Sequence, residues 1–303
     1  MRGVYTMLSN HYDELKDIIA NTFPEIKITN FSLLGSGKCA YTCLVNKEIV
    51  FKVPKSNDEK HTNDQIKEVK VLNHLQNKIN FKIPKILYHK VAENGKYIIG
   101  ETFMSDTIYS QELHDSFDEN AKSNILQQIG IVMRKLHESE PDFSWLGKAP
   151  ETYIDSLKTF DGLFCERIRK ILPNDLVSQI NTLIDTYKQV SISAPVKPVL
   201  CHCDLHFGNM MFDKKTRTIT GLIDFGSAQY AEPARDMHYY YGSGAKDLLI
   251  GYGDNSDPYI DIRQKFHSTK NMLCNISDDL NYNKSPEKNI AKLYICSNIE
   301  SER

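Results

Sequence analysis

The stretch "CHCDLHFGNMMFD", Cys201 to Asp213, gathers two cysteines, two histidines and two aspartates within thirteen residues. Two chemistries use such side chains. Thiolates and imidazoles at fixed spacing hold zinc, whereas an aspartate followed by an asparagine in a short loop serves phosphoryl transfer. The zinc reading draws on Cys201, His202, Cys203 and His206. Adjacent strand residues point to opposite faces, so Cys201 and Cys203 would face away from His202, and no second ligand pair stands at a familiar spacing elsewhere. The stronger reading is His-x-Asp-x-x-x-x-Asn over 202–209, with Asp204 and Asn209 as its working residues. Downstream, "LIDFG" supplies the companion Asp224-Phe225-Gly226.

Three upstream features fit that pair. Lys52 in "IVFKVPK" is an amine within an apolar run, and a buried ammonium is costly unless paired; Glu68, on the helical stretch that follows, is the candidate partner. The segment "LLGSGKCAY" carries a turn at Ser36 and Gly37 whose backbone amides can approach phosphates. It is not a Walker A sequence, because Ser32 and Cys39 stand where glycine and serine or threonine are required. Taken singly, the lysine reads equally as a half-exposed strand residue and the glycines as a plain strand turn. The ordered set of glycine turn, strand lysine, helix glutamate, loop aspartate and Asp-Phe-Gly is the signature of a kinase-like active site.

These residues need a sheet and a loop to hold them. In the first third, Ser9 can cap a helix with Tyr12, Leu15, Ile18 and Ile19 on one face, stopped by Pro24. Strand-like runs follow in "ITNFSLL", "AYTCLV", "EIVFKV", "KIPKILYHKV" and "GKYIIGETF", with Asn46-Lys47 as a turn. Between them "QIKEVKVLNHL" places Ile66, Val69, Leu72 and Leu75 at helical spacing. From about Ser105 the pattern is mainly helical, as in "NILQQIGIVMRKLHE", except for short strand-like runs over 199–225 that frame the Asp204 loop. The expected class is α+β, with a small antiparallel-sheet lobe carrying one main helix over 1–104 and a larger, mainly helical lobe over 105–303. A cleft between two such lobes is a common place for a ligand.

The 303 residues are enough for two lobes, and the formal charge of -2 shows no basic excess of the kind nucleic-acid binders carry. No apolar run approaches the roughly 20 residues of a membrane span, and the N-terminus lacks a signal-peptide core, which points to a cytoplasmic chain. Seven cysteines without a Cys-x-x-Cys pair read as reduced thiols.

Over nearly its whole length the chain resembles the aminoglycoside phosphotransferase family of protein-kinase-like small-molecule kinases. The segments "FKVPK", "EVKVL" and "GLIDFGSAQYAEPARD" are most similar to the branch that phosphorylates a 2″ hydroxyl. Protein kinases fit less well: they carry arginine after the loop histidine and lysine two places after the aspartate, where this chain has Cys203 and His206, and no Ala-Pro-Glu follows Asp224. Without that arginine a phosphorylated activation loop has no anchor, and constitutive activity is expected.

The resemblance implies a bilobal protein-kinase-like fold and magnesium-dependent transfer of the γ-phosphate of ATP or GTP to an aminoglycoside hydroxyl, conferring antibiotic resistance. It implies that Lys52 contacts the α- and β-phosphates, that Glu68 holds Lys52, and that Asn209 and Asp224 bind Mg2+. Asp204 would orient the acceptor hydroxyl, with His202 and Asp236 bracing its loop. Glu101 to Phe103 would form the lobe connection, reading the purine edge with backbone groups, and Ser36 and Gly37 the phosphate loop.

Two rivals remain. One is a kinase of another small alcohol, such as a macrolide, choline or a sugar derivative; the polarity of the acceptor pocket separates these, since a polycation needs carboxylates and a macrolide an apolar wall. The other is a non-catalytic nucleotide-binding interaction protein, which loss of Lys52, Asp204 or Asp224 would favour; all three are present. Asp247, Asp254, Asp257, Asp261, Asp278 and Asp279 are interleaved with Lys246, Arg263, Lys265 and Lys270, and sequence alone singles out no acceptor ligand among them.

Overall fold

Residues 31–54 are rich in β-branched and aromatic side chains, and they form three strands: β1 (Phe31–Ser36), β2 (Ala40–Val45) and β3 (Ile49–Pro54). Asn46 and Lys47 adopt left-handed φ angles of 54° and 60° in a tight turn closed by the Glu48 amide donating to Val45 O at 3.1 Å. With β4 (Ile86–Val91) and β5 (Tyr97–Thr102) they make one antiparallel sheet in the order β1-β2-β3-β5-β4. β3 is its central strand and is buried along its length except at Lys52, so the lysine projects from the middle of an apolar strand.

The computed structural model describes residues 11–139, 142–253 and 257–297; Ser9 and Asp254 lie outside them. Helix α1 (Tyr12–Thr22) starts after His11 and buries Leu15 and Ile19 in a cluster with Phe23, Phe31 and Phe51. Helix α2 (Glu59–Leu75) is capped by Asp58, whose side chain accepts from the His61 amide at 2.9 Å. Its buried face carries Val69, Leu72 and Leu75 and also one charge, Glu68.

The described residues up to Thr107 form one compact unit together with Thr220–Ala228. Backbone bonds from Lys82 N to Thr220 O (2.9 Å) and from Leu222 N to Lys82 O (3.0 Å) fasten that distant segment. A boundary at 104/105, as read from sequence, leaves Asp224 in the helical lobe; by packing, 220–228 belongs with the sheet.

The second unit comprises Ile108–Ile219 and the described residues from Gln229 onward. The short strand β6 (Thr107–Ile108) leads into it. Its helices are α3 (Gln111–Asp115), α4 (Glu119–Glu138), α5 (Tyr153–Leu163), α6 (Glu166–Arg169) and α7 (Asn174–Ser193). Then come β7 (Val199–Cys201), β8 (Met210–Asp213), β9 (Thr218–Leu222), which passes into the first unit at Thr220, and β10 (Gln229–Ala231), and finally α8 (Ser243–Tyr252), α9 (Ile260–Asn281) and α10 (Glu287–Ser297). α4 and α8 approach so closely that a Cβ at Gly130 or Gly251 would collide with the other helix's backbone, at Leu248 O or Gln127 O. No helix among the described residues is long and apolar enough to cross a membrane.

The core of this unit is built on Phe160, Ile180, Leu183, Phe266 and Leu273, with Tyr187 stacked on Phe266 at 3.6 Å between ring centroids. Beside it lies a buried ionic network. Arg263 on α9, 1% exposed, donates from Nε to Asp257 (2.8 Å), and from its terminal nitrogens to Glu232 (2.9 Å) and Ala194 O (2.5 Å). Glu232 also accepts from Tyr187 Oη at 2.6 Å and pairs with His267 at 2.5 Å. Removing one partner of such a network strands the others' charges, so Arg263→Ala should lower unfolding free energy by about 3–5 kcal/mol in urea titrations. A loss near zero would show that the network is solvated.

Candidate active site

The first unit concentrates charge around Lys52. Its Nζ lies 2.7 Å from Glu68 Oε1, 3.2 Å from Asp224 Oδ1 and 3.7 Å from Glu101 Oε1, with the lysine side chain only 12% exposed. Asp224 is 172 positions away in sequence. The Glu68 oxygen that takes Lys52 also accepts from the Phe225 amide at 2.9 Å, so one carboxylate clamps both the lysine and the Asp-Phe-Gly turn. Asp224 stands at φ 68°, a left-handed geometry in which aspartate is among the better-tolerated residues.

Burial by itself would pull Lys52 down, but Asp224, Glu101 and Glu68 raise it well above its ordinary value, and the amine stays an ammonium. Burial pushes Glu68 up, and it pushes Glu101 up to about 8 against the pull of Lys52. Raised carboxyl groups stabilise the fold fully below their unfolded pKa and less as pH climbs through the folded value. In Glu101→Gln that loss is absent. The melting temperature of this variant, relative to wild type, should therefore climb between pH 5 and pH 8; a pH-independent difference would mean that Glu101 titrates normally.

Ser36 and Gly37 lie at the exposed end of β1, where the Gly37 amide donates to Ala40 O at 2.9 Å. No side-chain atom crowds either loop glycine: a Cβ on Gly35 would meet nothing within 4 Å. Of the backbone groups expected to read a purine edge, the Phe103 amide is engaged, donating to Glu48 O at 2.7 Å. The Glu101 side chain is directed at Lys52.

The second unit holds the Asp204 loop, entered from β7, which pairs antiparallel with β10. Asp236, fully buried, accepts from the His202 amide at 2.9 Å and the Cys203 amide at 2.6 Å, while His137 Nε2 meets the same carboxylate at 3.1 Å. Burial pushes Asp236 up, but the bond from His137, its charge, His202 and the backbone amide outweigh that and hold the carboxyl below its ordinary value. The clip matters because Cys203 is held at φ 64°, a strain of about 1 kcal/mol or more for a residue with a β-carbon. Loop bracing by Asp236 is what the geometry shows.

That strained turn delivers Asp204. Tyr239 Oη donates to Asp204 Oδ1 at 2.5 Å, and Asn209 Nδ2 donates to Asp204 O at 2.8 Å and Oδ2 at 3.3 Å. The carboxylate is thus fixed by two side chains, Tyr239 and Asn209, yet remains 34% exposed. Burial and the neighbouring Asp204 charge push the Tyr239 phenol up, which keeps it a donor. His202 Nδ1 accepts from the Asp204 amide only at 3.4 Å, a weaker brace than Asp236. Cys201 is no thiolate: burial raises its thiol, which donates to Ala231 O and Glu232 O. His137, Cys201 and Asp236 form a compact buried group, and its polar atoms serve the loop.

Two cavities adjoin this loop. One of about 700 Å3 is bordered by Cys203 and Tyr239, the other of about 540 Å3 by His206, Gly208 and the same Tyr239. The structure brings together Lys52, Glu68, Glu101 and Asp224 in one group and Asp204 and Asn209 in another. Tyr239, His137 and Arg235 were not singled out from sequence. For Tyr239 the only signal is its place three residues after Asp236 within a run of tyrosines.

A sheet-borne lysine clamped by a helix glutamate, with an aspartate loop on a helical unit, is the scaffold of a kinase-type phosphotransferase fold. The chain belongs to the APH phosphotransferase enzyme family, whose sequence model matches residues 31–253. Solved structures agree on the fold. APH(2″)-IIia in complex with GDP and kanamycin is 20% identical, with a TM-score of 0.78 over 92% of this chain and 95% of that one. The GDP complex of wild-type aminoglycoside 2′-phosphotransferase-IIIa is 19% identical, with a TM-score of 0.81 over 94% and 98%. The macrolide 2′-phosphotransferase MphH from Brachybacterium faecium is 14% identical, with a TM-score of 0.68 over 96% and 100%.

Proposed function

We propose that the protein is a small-molecule kinase that moves the γ-phosphoryl group of ATP or GTP onto an acceptor hydroxyl held at Asp204. The observation that carries this reading is the carboxylate of Asp204, immobilised by Tyr239 and Asn209 and still partly open. In a loose transition state the hydroxyl proton leaves late, so a fixed acceptor of one hydrogen bond aligns the nucleophile more than it deprotonates it. Lys52 supplies a permanent positive charge for the donor phosphates, and Ser36 and Gly37 supply an open turn near which phosphates can lie.

Magnesium fits the oxygen donors of Asp224 and Asn209. The Asn209 amide is oriented by its nitrogen, which bonds Asp204, so the oxygen is the atom offered to a hard cation. When bound, the ion would offset charge on the transferring phosphates. With ATP or GTP as donor and seven cysteines outside any disulfide, we place the enzyme in the cytoplasm.

Two acceptor classes compete. Aminoglycosides, with resistance as the outcome, are the class raised by the family resemblance and by the kanamycin-bound neighbour. Another small alcohol is favoured by the cavity beside Cys203 and Tyr239, whose wall carries Lys148, Arg235 and Lys270 against Glu151 and Asp155. A polycation needs the opposite balance. Three of the six carboxylates that sequence left open are engaged elsewhere: Asp247 accepts from Ser123, Asp257 from Arg263 and Asp279 from Asn289. We therefore favour the second class.

The test is a coupled assay with ATP and with GTP, each with magnesium, against aminoglycosides, macrolides, choline and polyols. The expected result is nucleotide turnover that depends on an added alcohol. Tight nucleotide binding with no transfer to any acceptor would favour the non-catalytic binding module.

A further inference from the structure

The polar groups around the 700 Å3 cavity are out of balance. Its two carboxylates are already committed. Glu151 accepts from Ser156 Oγ at 2.5 Å and from Gln229 Nε2, and it lies 3.6 Å from Lys270 and 3.9 Å from Arg235. Asp155 accepts from the Thr152 amide at 3.0 Å and hydroxyl at 2.6 Å, closing the capping box of α5.

The donors are in the reverse state. Arg235 Nε and Asn271 Nδ2 are closed off from solvent without a hydrogen-bond partner. Among the described residues Lys270, 5% exposed, has only long polar contacts, to Ser156 Oγ at 3.5 Å and to Glu151 at 3.6 Å. An unmatched buried donor costs about 1–3 kcal/mol, more when charged, so two at one cavity beside a weakly paired lysine need an explanation. Along the cavity wall the balance is also cationic, since Arg235 and Lys270 both pair at long range with the same lining carboxylate, Glu151. Burial, followed by the neighbouring Arg235, pulls Lys270 down to about 8, as happens to an ammonium short of counter-charge.

The geometry points to an anion subsite: the cavity takes a carboxylate or phosphate group of the acceptor, with Arg235, Lys270 and Asn271 as its ligands. Arginine and lysine favour oxyanions through charge-assisted hydrogen bonds, and a guanidinium can give two in parallel. Tyr239 connects the subsite to the chemistry, because the same side chain borders the cavity and donates to Asp204. An acceptor anchored here by its anion places a hydroxyl toward Asp204, and a polyamine meets like charge. The acceptor role rests on the kinase reading; the anion site rests on the cavity alone.

The test uses the full chain with its donor site filled by magnesium and a non-hydrolysable ATP analogue. Acetate and inorganic phosphate are titrated at constant ionic strength while the arginine Nε–H NMR signals are followed, the Arg235 signal being the one lost in Arg235→Gln. Either anion should shift that signal saturably, with a dissociation constant about tenfold weaker in Lys270→Met, the loss of one charge-assisted contact. The anion that binds more tightly names the acceptor group. No saturable shift, or equal affinity in folded Lys270→Met, overturns the subsite.

Transfer to glycerate and glycerol phosphate is then compared with glycerol and kanamycin. Preference for an anionic acceptor in kcat/KM, diminished in Lys270→Met, supports the assignment. Preference for glycerol or kanamycin overturns it and leaves the kinase reading in place. Transfer to none of the four contradicts the kinase reading for this panel, and the titration still decides the anion site.

Discussion

Asp204→Ala should lower acceptor turnover by about 10²–10⁴-fold, the range for removing a positioned group that handles the proton in the transition state. Nucleotide affinity should change little, because the donor phosphates are assigned to Lys52 while Asp204 is held by Tyr239 and its own loop. Steady-state kinetics and calorimetric nucleotide titration on the same preparation separate the two effects. Asp204→Asn keeps the shape and one acceptor oxygen, and it should retain more activity than alanine if alignment dominates over proton acceptance. Near-normal turnover in Asp204→Ala would remove this residue from the reaction.

Lys52→Met should harm both activity and stability, and the stability loss should depend on pH. Three carboxylates, Glu68, Glu101 and Asp224, converge on the ammonium. Without it they repel one another in a buried setting, where breaking an ion pair costs about 3–5 kcal/mol. Protonation relieves part of that, so the sign is fixed. Removing Lys52 raises the folded-state values of Glu68 and Glu101 further, and stability held below their unfolded pKa is lost as pH rises through the folded ones. The deficit against wild type should be small near pH 5 and largest near pH 8. Adding Glu101→Gln to Lys52→Met should recover part of the stability and none of the activity. Denaturant titrations at the two pH values check the first claim; recovered turnover in the double variant would show that Lys52 serves the fold alone.

Much of the first unit was legible in the sequence because its signals are local. Alternating apolar residues give β1 to β5, helical spacing gives α2, and the motif order picks out Lys52, Glu68, Asp204, Asn209 and Asp224. The side-chain role of Glu101 was not legible. Its position on β5 is apparent, but the register that sets Glu101 opposite Val50, two residues before Lys52, belongs to strand pairing and not to composition. The association of 220–228 with the sheet depends on contacts with residues more than a hundred positions away.

The acceptor side was hidden for another physical reason. α9 breaks the rule that a helix turns its apolar face inward: Arg263, His267 and Lys270, spaced four and three residues apart, are all buried. That spacing puts them on one helical face, and a stripe of nitrogen-bearing side chains at helical period was the available signal. Read as ordinary surface charge, it gave no sign that Arg263 would be neutralised inside the core or that Lys270 would border a cavity. Tyr239 and His137 reach the loop only through tertiary packing, and neither spacing nor residue type marks them beforehand.

The central claim is that this scaffold transfers phosphate to a small alcohol under the control of Asp204. The most direct measurement incubates the protein with nucleotide labelled in its γ-phosphate and a panel of anionic, neutral and cationic alcohols, and follows the label by mass spectrometry. The account predicts labelled phosphate on an acceptor hydroxyl with wild-type protein and almost none with Asp204→Ala at equal nucleotide occupancy. Label that appears only as free phosphate, or equally on the acceptor with both proteins, would contradict it.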